Sequence, residues 1–438
     1  MRIDELHLKN FKCFEDRRFG PFDPQFNLVI GDNGTGKTSF FQAMEVVLSE
    51  WLRADVYGSL DRTLDQWEKG QKLRTFDLEK VRQIESPGAV FQLEFCHPAF
   101  LTVNATIGEL SANSHIELSQ DEHSAPLYRL SVSPETDNIR KLALGIFTRV
   151  RAWQDEILPL VASYDEYRAS STTPVIIAST DLGGLPSRFD GYREAQGSSL
   201  SGERLTTWFA NKYWIAWGED KVPFDLPVVR EAIRQFLPGA EKIDFDRVRK
   251  EIVATIQGKT LPFSLLSRGQ RDMMALVGDL AQRAVSLNPH LENPLQETPG
   301  VVLIDELDLH LHPKWQRNIV HDLKRVFPKL QFFCTTHSPV LIGEVKPEEI
   351  VFLEEPASRR TFGMDANAIL NHVMGGTERN AEVKRDLDAI FDWIEAGEFE
   401  SAKKAITDLR NRIGDIPDLV AAEVALFDYQ NSDGREEG

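Results

Sequence analysis

The sequence predicts an α/β protein, and three observations predict it. A β-prone run, Phe26-Asn27-Leu28-Val29-Ile30, ends at a glycine-rich loop that opens a helix. Four apolar residues, Val301 to Ile304, form a buried strand that delivers Asp305 and Glu306 at its end. A further strand, Leu330 to Thr335, runs into the polar turn around His337. Open α/β sheets bind ligands at the carboxyl ends of their strands, which is where the polar residues of these runs fall.

The flanking elements follow from periodicity. Ile3, Leu6 and Leu8, then Phe11, are spaced near period two and read as an early strand. From Thr38 onward, Phe40, Phe41, Met44, Val47 and Leu48 recur at helical spacing. Val90 to Phe95 alternates as a strand, whereas residues 101–137, rich in Ser, Asn, Glu and His, predict no defined element. Ile139 to Leu160 reads as helix until Pro159, and Ser170 to Ser201, dense in Ser, Thr, Gly and Pro, reads as long loops. Trp208, Trp214 and Trp217 are read as core rather than as a platform for stacking bases. A helix is expected over Gln270–Ala284. Three amphipathic helices are expected over Ala381–Gln430; Val383, Leu387, Ile390, Phe391 and Ile394 mark the first, and Phe399, Ala402, Ile406, Leu409 and Ile413 the second. Gly414 and Pro417 break the second, so the segment after it reads as the most separable part.

Gly31-Asp32-Asn33-Gly34-Thr35-Gly36-Lys37-Thr38, followed by Ser39, is a complete GxxxxGK[ST] loop between a strand and a helix. Its glycines let successive backbone N–H groups turn toward phosphate oxygens, and the following helix adds its positive N-terminus. Lys37 is expected to reach the β- and γ-phosphates of ATP, and the Thr38 hydroxyl to ligate Mg²⁺. Asp305 would hold the same Mg²⁺, and Glu306 would orient and deprotonate the attacking water. Alone, an apolar strand followed by two acids is a weak signal; downstream of the loop it becomes a strong one. Leu266-Ser267-Arg268-Gly269-Gln270-Arg271 opens a helix, where the Ser267 hydroxyl and the amides around Gly269 form a second anion site. Arg271 reads either as part of that site or as a solvated helix residue. In Cys334-Thr335-Thr336-His337-Ser338-Pro339, His337 can donate to a γ-phosphate and so report its presence. His310 and His312 read as residues packing the loop after the acids, since no further metal ligands stand near them. Asp386-Leu387-Asp388 reads as a solvated helix edge.

Composition narrows the classes. Among the 438 residues the three cysteines, Cys13, Cys96 and Cys334, are scattered and odd in number, which points to a reducing cytoplasm and against a disulfide framework or zinc site. The N-terminus lacks the apolar core of a signal peptide, and no run is long enough for a membrane span. The formal net charge of −18 argues against a protein that coats nucleic acid non-specifically. A DNA partner would need a local basic groove; Arg247, Arg249 and Lys250 are candidates, and their blander reading is a solvated helix face.

The order of the motifs is that of ABC-type ATPases, and the residues resemble the RecF/OLD/SMC-like branch of AAA-annotated ATPases. RIDELHLKNFKCFED and FNLVIGDNGTGKTSFFQAM resemble the first lobe of that family. LLSRGQRDMMALVGDLAQR, VVLIDELDLHLHPKWQR and FPKLQFFCTTHSPVLI resemble its second lobe, with weaker echoes in ILPLVASYDEYR and SRFDGY. The resemblance implies a P-loop NTPase of ABC/RecF type, a two-lobed ATPase head with a central insertion and a C-terminal helical tail. It divides the chain into a first lobe (1–100), an insertion (101–261), a second lobe (262–350) and the tail (351–438). It further implies a homodimer, or a higher homo-oligomer, in which Ser267, Gly269 and Gln270 of one subunit cap the ATP held by Gly31–Thr38 of the other. Asp308 would belong to the loop communicating between the two sites, and Gln92 is a candidate for the glutamine that follows the first lobe. The family's Phe-Arg reads Phe11-Lys12 here. No long coiled coil and no TOPRIM domain is legible. The expected role is therefore an ATP-switched subunit of a prokaryotic antiphage system with a separate nuclease or toxin as effector; the alternative is a RecF-like DNA-repair clamp.

Overall fold

The computed structural model describes residues 1–54, 80–84, 92–96, 99–120, 128–132, 138–165, 187–193, 195, 202–219, 222–354, 361–375 and 380–433. They form two compact units, Met1–Asp365 and Ala366–Gly438.

In the first unit, β1 (Arg2–Phe11), β2 (Phe14–Phe19), β6 (Ala99–Ile107), β7 (Leu110–Gln120) and β8 (Tyr128–Val132) build an antiparallel sheet in the order β2-β1-β6-β7-β8. The uneven spacing of Ile3, Leu6 and Leu8 has a cause: the β1–β6 register shifts between Ile3 and Glu5. Such an irregularity inserts a residue and returns the next apolar side chain to the same face. The strand expected near Val90 is β5 (Gln92–Cys96), which pairs with β4 (Lys80–Ile84).

A second sheet is wholly parallel and carries the glycine-rich loop and the acid pair. β3 (Phe26–Ile30), β9 (Leu160–Tyr164), β13 (Gly300–Ile304), β14 (Leu330–Thr335) and β15 (Ile350–Phe352) run in the order β15-β3-β14-β13-β9. β3, β9, β13 and β14 are buried along their full length, as strands covered on both faces must be, which explains their unbroken apolar runs. α1 (Lys37–Arg53) follows the glycine-rich loop. Its Phe40 packs edge-on to Phe19 (centroids 5.1 Å apart) and Phe22 (6.1 Å), and Phe22 meets Phe333 of β14 at 5.0 Å. Aromatic pairs of this kind contribute about 0.5–1.5 kcal/mol each beyond area burial, and they clamp α1 between the two sheets. α2 (Asn138–Arg151), α3 (Gly202–Glu219) and α4 (Asp225–Phe236) precede a three-stranded meander of β10 (Ala240–Asp246), β11 (Glu251–Ile256) and β12 (Lys259–Pro262). α5 (Arg268–Leu287) and α6 (Pro313–Val326) complete the unit's longer helices among the described residues.

The expected boundaries shift accordingly. The first sheet does not stop at residue 100, because β6 pairs with β1 and β7–β8 extend it through Val132. Residues 101–261 are not one insertion: β9 joins the central sheet beside β13. The helix read from Ile139 ends at Arg151, and Leu160 instead begins β9. Residues 350–352 pair with β3, so the first unit continues past the expected start of the tail. Trp214 is not core but 63% exposed; Phe209 takes the buried position on α3. Arg247, Arg249 and Lys250 are exposed on the turn between β10 and β11 rather than on a helix, with Arg247 over the Tyr213 ring and Arg249 3.8 Å from Asp246.

In the second unit, α7 (Ala381–Glu395), α8 (Phe399–Ile413) and α9 (Pro417–Asp433) share one apolar cluster. Asp386 lies in α7 and pairs with Arg412 of α8 at 2.6 Å. Leu419, Ala422 and Leu426 of α9 are buried in the cluster, so the segment after Ile413 is not separable: cutting there would strip the inner faces of α7 and α8. No helix among the described residues is long and apolar enough to cross a membrane.

Candidate functional site

Three neighbouring strands of the parallel sheet end at one edge. β14 lies between β3 and β13, with Cys334 level with both Leu28 and Ile304. The glycine-rich loop, the acid pair and the His337 turn therefore leave the sheet side by side.

The loop has the backbone its glycines allow. Gly34 (φ +88°) and Gly36 (φ +109°) occupy the left-handed region, which a side chain would strain. Gly36 also lacks room, since a Cβ there would lie 2.4 Å from Cys13 Sγ and 2.8 Å from Phe14 Cζ. The β1–β2 turn thus backs the loop, and Lys12 in that turn donates to Gln42 of α1. The Thr35 hydroxyl donates to the Asp32 carbonyl at 2.9 Å, closing the loop on itself. α1 begins at Lys37 with Gly36 as N-cap and no side-chain cap, leaving its first-turn amides to whatever lies before the helix. Asp32, Asn33 and Thr38 are exposed, and Ser39 is half-buried. The Lys37 ammonium donates to the carbonyls of Gly31 (2.6 Å) and Asp32 (3.2 Å). Burial lowers its proton affinity, while the carboxylates of Asp305, Asp32, Glu306 and Glu354 oppose that effect. A cation placed among loop carbonyls and acids, at a helix N-terminus with free amides, fits a polyphosphate with a divalent cation.

Thr335, to which the sequence alone gives no role beyond ending a strand, organises the acids. Its hydroxyl donates to Asp305 Oδ1 and accepts the Glu306 N–H at 2.7 Å, while its carbonyl accepts the Leu307 N–H at 2.9 Å. Glu306 has φ +51°, an uncommon conformation for a residue with a side chain, costing about 1–3 kcal/mol. The Thr335 contacts hold it there. The sequence shows a hydroxyl residue ending that strand; that the strand lies beside the acid strand follows from the fold. One residue on, Thr336 donates to Asp308 Oδ1, and Ser338 caps the short helix that follows. His337 between them is exposed at the strand ends.

Ser267 is the N-cap of α5 in a full capping box: Gln270 N–H donates to Ser267 Oγ at 3.3 Å and Ser267 N–H to Gln270 Oε1 at 2.9 Å. The cap sits against the loop after β13. A Cβ on Gly269 would lie 2.4 Å from the His310 carbonyl, and His310 Nδ1 is 2.9 Å from Asp272. His312 caps α6 by accepting the Lys314 N–H. Both histidines thus have local packing partners. Arg271 is half-buried rather than solvated, and its Nε has no hydrogen-bond partner among the described residues. The side chain of Gln92 lies outside the described residues.

Two stretches of the chain match families of ATPase domains. Residues 1–125 match the family described as "AAA ATPase domain", and residues 223–343 the one described as "AAA domain, putative AbiEii toxin, Type IV TA system". The "Retron Vc95 probable ATPase" of Vibrio cholerae serotype O1 biovar El Tor is 43% identical over 129 residues, 29% of this chain and 25% of that protein. The "Septu protein PtuA" of Bacillus mycoides (strain KBAB4) is 32% identical over 138 residues, 32% of this chain and 19% of that protein. The chain thus spans a quarter or less of the length of these two relatives. An SMC head bound to the C-terminal winged-helix domain of ScpA shares 16% identity at a TM-score of 0.43, over 80% of this chain and 96% of that one.

Proposed function

We propose that this chain, an ATPase of the AAA, SMC/RecF-like kind, binds ATP at Gly31–Thr38 and hydrolyses it between two copies of itself. The observation that supports this best is the convergence of β3, β14 and β13 at one edge, which sets the Lys37 ammonium among the charges of Asp305 and Glu306. The loop amides and Lys37 would bind the phosphates, Glu306 would take the proton of the attacking water, and exposed His337 would donate to the γ-phosphate. Mg²⁺, with Thr38 and Asp305 as its protein ligands, would neutralise the charge on the β- and γ-oxygens. The chain would work in the cytoplasm as the ATPase subunit of an antiphage defence system, its nucleotide state governing a separate nuclease or toxin. The retron and Septu relatives support the defence setting.

Ser267, Gly269 and Gln270 of the second copy would close over the γ-phosphate. Ser267→Arg places a bulky cation at that cap. It is expected to leave ATP affinity unchanged while abolishing ATP-dependent dimerisation and turnover, read by nucleotide titration, light scattering and phosphate release. Full turnover by Ser267→Arg alone would show that the sites are not shared. Removing residues 366–438 takes away one compact unit rather than part of a helical cluster. It is expected to spare ATP hydrolysis and abolish co-purification with a nuclease or toxin encoded beside this chain; undiminished co-purification would place effector docking on residues 1–365.

A further inference from the structure

One residue bonds both to the acid pair and to the helix that carries the cap. Tyr164 ends β9 and is fully buried. Its carbonyl accepts the Asp305 N–H at 2.8 Å, carrying the β9–β13 ladder one residue beyond Ile304. Its phenol donates to Asp279 Oδ2 at 2.6 Å, and Asp279 lies on α5, the unbroken helix that Ser267 caps. The same oxygen accepts Arg283 Nε at 2.6 Å. Arg283, 5% exposed, also donates to the carbonyls of Gly191 (2.9 Å) and Arg193 (3.0 Å), the first of them in the 3₁₀ turn Arg188–Tyr192.

We propose that Tyr164 is a positioning residue that ties the Asp305–Glu306 pair to α5, so that the acids and the cap of one subunit move as one body. The proposal rests on the composite-site reading: in that dimer the acids serve the subunit's own ATP and the cap serves the partner's, so the Tyr164 bond joins the two sites. The geometry favours a tie over simple packing. A shift of α5 by about 1 Å would take a 2.6 Å bond out of range unless β9 followed, and with it the carbonyl that holds Asp305. The Asp279–Arg283 ion pair lies within α5 itself, four residues apart, so the link from β9 to that helix is the Tyr164 phenol. Burial, reinforced by the Asp279 charge, holds the phenol's proton far more tightly than usual, so Tyr164 remains a donor. For Arg283, burial works against the charged form, but Asp279 outweighs it and the guanidinium stays charged.

Tyr164→Phe removes the phenol oxygen and keeps the ring and the backbone bond. Mixing Lys37→Ala protein with Ser267→Arg protein leaves one complete site per mixed dimer, with the loop and acids from the Ser267→Arg copy and the cap from the other. Tyr164→Phe added to the Lys37→Ala copy alters only the subunit that supplies the cap. Turnover of the mixture is expected to fall about tenfold, the scale of one hydrogen bond to a charged group, at unchanged ATP affinity. Turnover equal to that of the parent mixture would overturn the proposal. A parent mixture with no turnover would instead sink the composite-site reading, and the tie itself is then decided on the Tyr164→Phe single variant by amide hydrogen exchange. Exchange should quicken both at residues 305–307 and at 268–272, with α1 and α7–α9 unchanged. Unchanged exchange, or faster exchange throughout the chain, would reduce Tyr164 to packing.

Discussion

Glu306→Gln is expected to slow ATP hydrolysis about 10²–10⁴-fold, the range a positioned proton acceptor contributes. The substitution keeps the shape of the side chain and the backbone at φ +51°, so the Thr335 contact to the residue 306 amide should persist. What would be lost is the proposed base. Because Lys37, Thr38 and Asp305 are untouched, ATP should bind normally and accumulate unhydrolysed, holding the dimer closed. Single-turnover phosphate release measures the first effect. The nucleotide that co-elutes with the protein on size exclusion, and the mass of that species, measure the second. Wild-type turnover would move the base elsewhere in the site.

The glycine loop and central strands of the candidate site were more legible in the sequence than the fold around them. Gly34 and Gly36 could be read because left-handed backbone demands glycine locally, whatever the tertiary context. Val301–Ile304 could be read because a strand covered on both faces must be apolar throughout. β9 could not: Leu160–Tyr164 is five buried residues, too short for period two to be told from a helical turn, and it follows a helix. β6 is hidden in the sequence for a different reason. Leu101, Val103, Ala105 and Ile107 do alternate with less buried neighbours, but the polar half of that alternation dominated the composition.

Contacts between distant segments were the least legible. Tyr164 and Asp279 are separated by 115 residues, and nothing local to either announces the other. Thr335 looked like the end of a strand; its bond to Asp305 exists only because β13 and β14 are neighbours in the parallel sheet. Aromatic residues are usually buried, yet Trp214 is exposed, and Leu205 and Phe209 supply the buried face of α3. Periodicity predicts which face of an element is covered, not which element covers it.

Lys37→Ala is expected to weaken ATP binding by about 10²-fold or more, since a hydrogen bond to a charged group contributes about 1.5–3 kcal/mol and Lys37 offers several. The ammonium is held by the carbonyls of Gly31 and Asp32, both within the loop that would receive the phosphates. Burial already disfavours its charge, and Asp305, Asp32 and Glu306 only partly compensate. A polyphosphate would complete that compensation, whereas alanine would leave the phosphates facing Asp32, Asp305 and Glu306 with no side-chain cation from the loop. Removing a partly buried cation also relieves a desolvation cost, so the variant should fold and melt near the wild-type temperature. Calorimetric ATP titration beside a thermal melt separates binding from folding. Native-like affinity in a folded Lys37→Ala protein would remove the nucleotide from this loop altogether.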